Sequence, residues 1–217
     1  MRLRIVCTGL IGCVVGAMVT VMAQNRPALN LAGDRFKPLT YETMTAEQKA
    51  LTDHILSGPR ASMGGPFNVL LRSPEMGDLA QQLGAYVRFR SSLPRKLNEM
   101  AILITARAWT AQYEWYAHKS AALQAGLNPA IVDAIGGGRK PASMTAEEEV
   151  VYNFCTELLT TKQVSDPTFQ SAVKSFGERG VVDLIGVTGY YQLVSMLLNV
   201  DRYPLPAGAK PELQALR

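Results

Sequence analysis

Three ionisable side chains stand where chemistry is possible. Glu114 and His118 lie four residues apart in "AQYEWYAHKSAALQAGL", Ala111 to Leu127. On a helix that spacing puts both on one face. A carboxylate one turn from an imidazole orients the ring and raises its basicity, which suits proton transfer near neutral pH. Glu99 is the third, a charge at the edge of the apolar run Met100 to Ile104 in "RKLNEMAILITAR". Glu99 and Arg107 are eight residues apart and share roughly one helical face. If buried, each needs a partner. Trp109, Tyr113, Trp115 and Tyr116 supply aromatic walls for such a site. Taken alone, a Glu–His pair at this spacing is more often a solvated or structural pair than a reaction centre. Two ligands on one helix are also too few for zinc, and no HExxH or Cys/His set completes them. Neither a metal nor a cofactor is expected.

The elements that must position these residues read as helices throughout. Residues 24–44 contain Pro, Asn and Gly and form an extended lead-in. "MTAEQKALTDHIL" starts a helix at Thr45, with Gln48 completing a capping box. The Gly- and Pro-rich "SGPRASMGGPFNVLLRSP" is a loop, after which Pro74 opens a helix to about Arg90. Pro94 opens another, with Leu97, Ala101, Ile104 and Ala108 recurring at helical spacing. The stretch that carries His118 ends near Gly126, a C-cap residue. "NPAIVDAI" is a short helix, "MTAEEEVVYNFCTELL" has a second capping box in Thr145 and Glu148, and "SDPTFQSAVKSFG" begins at a cap followed by Pro167. Val181 to Val200 is apolar enough to suggest a membrane span, but Asp183, Gln192, Asn199 and two glycines argue for a helix buried among helices. No strand alternation or long-period repeat is present. The predicted class is all-α, one domain over 45–205 with a tail over 206–217.

Residues 1–23 stand apart. Arg2 and Arg4 precede the uncharged apolar run Ile5 to Ala23, and small residues at Val21 and Ala23 mark a cleavage site before Gln24. This reads as a secretory signal peptide and places the mature chain in the periplasm or outside the cell. A retained N-terminal membrane anchor is the alternative. Cleavage removes two arginines and no acid, lowering the formal charge of +4 by two. The remaining balance and the lack of a basic, aromatic-interleaved patch exclude a nucleic-acid partner on composition. Cleavage also removes Cys7 and Cys13, leaving Cys155 alone in an apolar helical pattern, where a structural thiol is the natural reading.

The run "RKLNEMAILITARAWTAQYEWYAHKSAALQAGL", followed by the later "GYYQLVSMLLNV", resembles the carboxymuconolactone decarboxylase family, which includes the alkylhydroperoxidase D-like proteins. The resemblance covers about residues 60–205 and implies that family's all-α helical bundle. In the peroxidase branch a Glu is followed twelve residues on by a Cys, three on by a second Cys, and four on by a His. Glu99, Ala111, Glu114 and His118 fall on that spacing, so both thiol positions are replaced. Thiol peroxidase chemistry needs a thiolate and a resolving thiol. The decarboxylase branch carries a Glu with a His four later, as in "EWYAH". That resemblance implies His118 as proton donor, Glu114 tuning it and Arg107 as the cation for a substrate carboxylate, with Trp109, Trp115 and Tyr116 around the substrate. It also implies a homotrimer or hexamer. Two classes stay open: a cofactor-free lyase or isomerase on a small carboxylated or oxygenated molecule, and a non-catalytic member that binds small ligands or self-associates. Peroxidase activity is the remaining alternative. Neither a nucleic acid nor, after cleavage, a membrane is an expected partner.

Overall fold

A computed structural model of the chain describes residues 29–215, so the N-terminal signal or anchor reading lies outside the described residues. The described residues form a 3-10 turn at Tyr41–Thr43 and eight α-helices, with no strand among them. These are α1 (Ala46–Ser57), α2 (Phe67–Leu70), α3 (Pro74–Phe89), α4 (Arg95–Ala108), α5 (Gln112–Gln124), α6 (Pro129–Gly136), α7 (Ala146–Thr161) and α8 (Asp166–Asp201). The all-α class follows directly.

Local chemistry sets the helix ends. At α1 the Thr45 hydroxyl accepts from the Gln48 amide at 3.3 Å and the Gln48 side chain accepts from Thr45 N at 3.0 Å. Thr145 and Glu148 repeat the exchange at α7, at 3.3 and 2.8 Å. Both are capping boxes that satisfy otherwise orphaned amides. Gly126, with φ of +89°, turns the chain just after α5. Gly177 interrupts α8 with φ 66° and ψ 173°, so the element is two helices meeting at a kink.

Helix α4 is the axis of the domain. Every residue from Leu97 to Arg107 is buried, which requires neighbours on all sides. Helices α5, α6, α7 and α8 supply them. Leu97, Ala101 and Ile104 are buried as their spacing predicts, whereas Ala108 is exposed because α4 emerges from the core at its last residue. A smaller apolar cluster joins α1, α2 and α3 around Phe67, Leu70 and Leu71. By length and composition α8 is the one described helix long and apolar enough to cross a membrane, yet 56% of its apolar window is buried inside the domain.

The lead-in and the tail both pack onto the bundle. Asp201 accepts from Phe36 N at 2.7 Å, and Asn68 donates to the Phe36 carbonyl at 2.6 Å. A Cβ at Gly33 would sit 2.4 Å from Asn68 Nδ2 and 2.5 Å from Asp201 Oδ2, so only glycine fits there. At the other end Gln112 accepts from Glu212 N and Leu213 N, each at 3.1 Å, and donates to the Leu213 carbonyl at 2.6 Å. Leu213 is buried.

One buried carboxylate clamps α8 to the α3–α4 connection. Asp183 accepts from Tyr86 Oη at 2.9 Å, Ser92 N at 2.7 Å and Ser92 Oγ at 2.6 Å. These donors hold its carboxyl below the ordinary aspartate range against the opposing effect of burial. Asp183→Ala strands those donors, and urea unfolding should show a loss of about 2–4 kcal/mol. A loss below about 0.5 kcal/mol, the level of an ordinary surface change, would contradict the clamp.

Candidate active site

The turn Trp109–Ala111, with Thr110 at φ +48°, folds α5 back along α4. That hairpin brings Glu99 to His118. The imidazole is held at both nitrogens: Nδ1 lies 2.6 Å from Glu99 Oε2 and Nε2 lies 3.1 Å from Glu114 Oε1. All three side chains are buried. Ionised carboxylates only accept, so a ring flanked by two of them donates from both nitrogens, which only the imidazolium does. Burial by itself lowers the His118 pKa, but the charge and hydrogen bond of Glu114, and then those of Glu99, overcome it and raise it to about 9. The Tyr191 ring meets the imidazole edge-on at 5.0 Å and fixes its plane.

Glu114 and His118 open into a cavity of about 160 Å³. Tyr113 and Ala117 share their face of α5, one step before each. Tyr190 and Tyr191 come from α8, Arg88 from α3, and the loop from Arg60 to Pro66 closes the far side. Burial pushes the Tyr113, Tyr190 and Tyr191 hydroxyls up, so all three stay neutral phenols at physiological pH. Glu99 does not line this cavity. It lies behind the ring, on a separate groove shared with Arg88, Arg95 and Asn98.

The cavity carries positive charge. Nε and Nη2 of Arg60 are buried without a hydrogen-bond partner, and its guanidinium lies 5.2 Å from the Phe67 ring centre. A Cβ on Gly84 would meet Tyr190 Oη at 2.2 Å and Arg60 Nη2 at 2.9 Å. The bare glycine therefore makes the space in which these two polar tips sit. Buried guanidinium nitrogens without partners are primed for an anion.

Glu99, Glu114 and His118 meet within hydrogen-bond reach. Arg107, Trp109, Trp115 and Tyr116 do not line their cavity. Arg107 lies two turns further along α4, about 12 Å down the axis. Trp109 is exposed at the end of α4. Trp115 is buried, but its indole donates to Glu212 at 3.3 Å on another side of α5. Tyr116 is exposed. The reason is helical phase, because each residue turns by about 100° and residues next to Glu114 on its far side point elsewhere. Tyr113 could be found by that phase. Arg60, Arg88, Tyr190 and Tyr191 arrive from distant elements and carried no local signal.

Ala111, at one thiol position of the resembled motif, is fully buried. The free cysteine of the described residues, Cys155, is buried beside Thr188, and burial pushes its thiol up to about 12. Such a thiol is a poor nucleophile. Among the described residues no group of three or more His, Cys, Asp and Glu is arranged to hold a metal ion. No protein-family model matches the chain, and no curated protein does.

The raised imidazole pKa has a definite sign for stability. The charged ring contributes fully below the ordinary value of 6.5, and that contribution is lost as pH rises through about 9. NMR titration should place the His118 midpoint near 9, and Glu114→Gln should lower it toward 6.5. Wild-type thermal stability should fall over the same interval more steeply than that of the Gln variant. A midpoint at 6.5 in the wild type would refute the two-carboxylate account.

Proposed function

We propose that the chain is a cofactor-free acid/base enzyme, a carboxymuconolactone decarboxylase-like lyase or isomerase on a small carboxylated molecule. The observation that carries this reading is the imidazole held at both nitrogens by two carboxyl groups at the wall of a cavity where Arg60 keeps two buried nitrogens without a partner. Loss of carbon dioxide leaves the electron pair of the broken carbon–carbon bond on the substrate. A conjugated carbonyl takes that pair as an enolate or dienolate. Tyrosine phenols donate to the oxygen where charge gathers, as an oxyanion site requires. The imidazolium then gives its Nε2 proton to carbon, directly or across Glu114, while Glu99 holds Nδ1 and the ring orientation. Arg60 and Arg88 neutralise the substrate's anionic group. Glu99, on its own groove, offers a separate route for the ring to regain a proton from solvent.

The same proposal includes a periplasmic or secreted location and self-association as a homotrimer or hexamer. Exposed Met76, Leu79 and Leu83 on one face of α3, with Val182 and Ile185 on α8, support self-association. Light scattering of the mature chain at micromolar concentration should show an oligomer; a clean monomer removes that part of the proposal.

The main test is a screen of small lactone acids and enolisable keto acids for carbon dioxide release or deuterium uptake in heavy water. His118→Ala should lower the rate roughly a hundredfold to ten-thousandfold while folding normally. Arg60→Met should raise KM more than it lowers kcat, as expected for lost ground-state binding. Cys155→Ser should leave turnover unchanged, and the rate should fall as pH rises through about 9. Peroxide turnover that disappears in Cys155→Ser would replace this reading with the thiol one. Turnover unchanged by His118→Ala would end it.

A further inference from the structure

Arg107 presents a second problem of unpaired charge, at the opposite end of α4 from Glu99. The residue is 6% exposed. Its Nε is buried without a hydrogen-bond partner, and Nη1 has only the Thr110 hydroxyl at a long 3.4 Å. No carboxylate of the described residues lies within ion-pair distance of it, although Arg107 also lines a second groove that holds Asp133 and Glu212. Burial lowers its pKa with no compensating charge. A largely buried guanidinium with no carboxylate opposite it is unfavourable unless an anion completes it.

The guanidinium borders a cavity of about 150 Å³ between α4, α6 and α7. Ile104, Ile135 and Leu159 make the apolar part, and Arg139 adds a second cation at the rim beside Gly138. Thr156 and Thr160 add hydroxyls from α7. A cavity of about this size lined by aliphatic side chains holds a benzene ring. None of these residues lines the His118 cavity.

We propose that this cavity is a second binding site, separate from the His118 centre, for a small apolar monocarboxylate: a ring or short chain among Ile104, Ile135 and Leu159, its carboxylate on Arg107. Planar carboxylates suit the guanidinium fork, and the apolar walls reject a bare hydrated anion. The site does not depend on the proposed reaction at His118.

Benzoate is the probe, read by calorimetry and thermal shift on the mature chain. Benzyl alcohol supplies the ring without charge, and inorganic phosphate the charge without a ring. Two variants change the site. Arg107→Met keeps the shape and removes the charge; Ala108→Phe fills the cavity from an exposed position at the end of α4. Both should weaken this benzoate site at least about tenfold, roughly 1.4 kcal/mol. Arg60→Met should leave it intact, which separates it from benzoate held in the His118 cavity. Without benzoate, Arg107→Met should be at least as stable as wild type, because an uncompensated buried charge is gone. Benzoate binding unchanged in both variants would overturn the proposal, as would no binding to the wild type. Phosphate binding as tightly as benzoate would overturn the assigned ligand class. A less stable Arg107→Met would show that the charge already has a partner, such as a carboxylate of a second copy.

Discussion

An imidazole enclosed between two carboxylates sets the terms on which the rest of the domain is arranged. Taking each ion out of water costs several kcal/mol, and only short, well-aimed hydrogen bonds offset that. Glu99 and His118 sit on different helices, so the condition fixes the register of α4 against α5. A slip of one residue would rotate either group by about 100° and leave charges unpaired. The tight turn at Trp109–Ala111 therefore serves the site, although none of its residues lines the cavity.

The same condition explains why α4 is buried on every side. Charges that hold each other at close range need a medium that excludes water, and α5, α7 and α8 build it around Leu97 to Arg107. Helix α8 contributes twice. Its apolar residues close the core, and Tyr190 and Tyr191 wall the cavity beside the ring. Its hydropathy thus reflects interior placement, with Asp183 satisfied by Tyr86 and Ser92, and Asp201 accepting at Oδ1 from Phe36 N while its Oδ2 is buried without a partner.

The two ends of α4 treat charge differently. Near its start Glu99 is paired with His118 and Lys96 with Glu148, the latter at 2.7 Å. At its end Arg107 is buried without an acid. Arg60, only partly buried, keeps two unpartnered buried nitrogens at the His118 cavity, with aromatic rings in place of a carboxylate. Among the described residues these are two cations that lack anions beside two cavities.

The sequence alone determined the helical class, the capped starts at Thr45 and Thr145, and the joint between "SDPTFQSAVKSFG" and the apolar run after it, because these rest on contacts within one or two turns. It also singled out Glu99, Glu114 and His118, since a charge at the edge of an apolar run and a Glu–His spacing of four are both local patterns. Only the tertiary structure decided what surrounds them. Arg60, Arg88, Tyr190 and Tyr191 come from a loop and two helices far along the chain, and no local periodicity encodes such convergence. Arg107, Trp109, Trp115 and Tyr116 are near His118 in sequence yet turned from its cavity, because neighbours along a helix diverge by about 100° per residue. Packing, which follows distance in space and not along the chain, chose which of them face the ring.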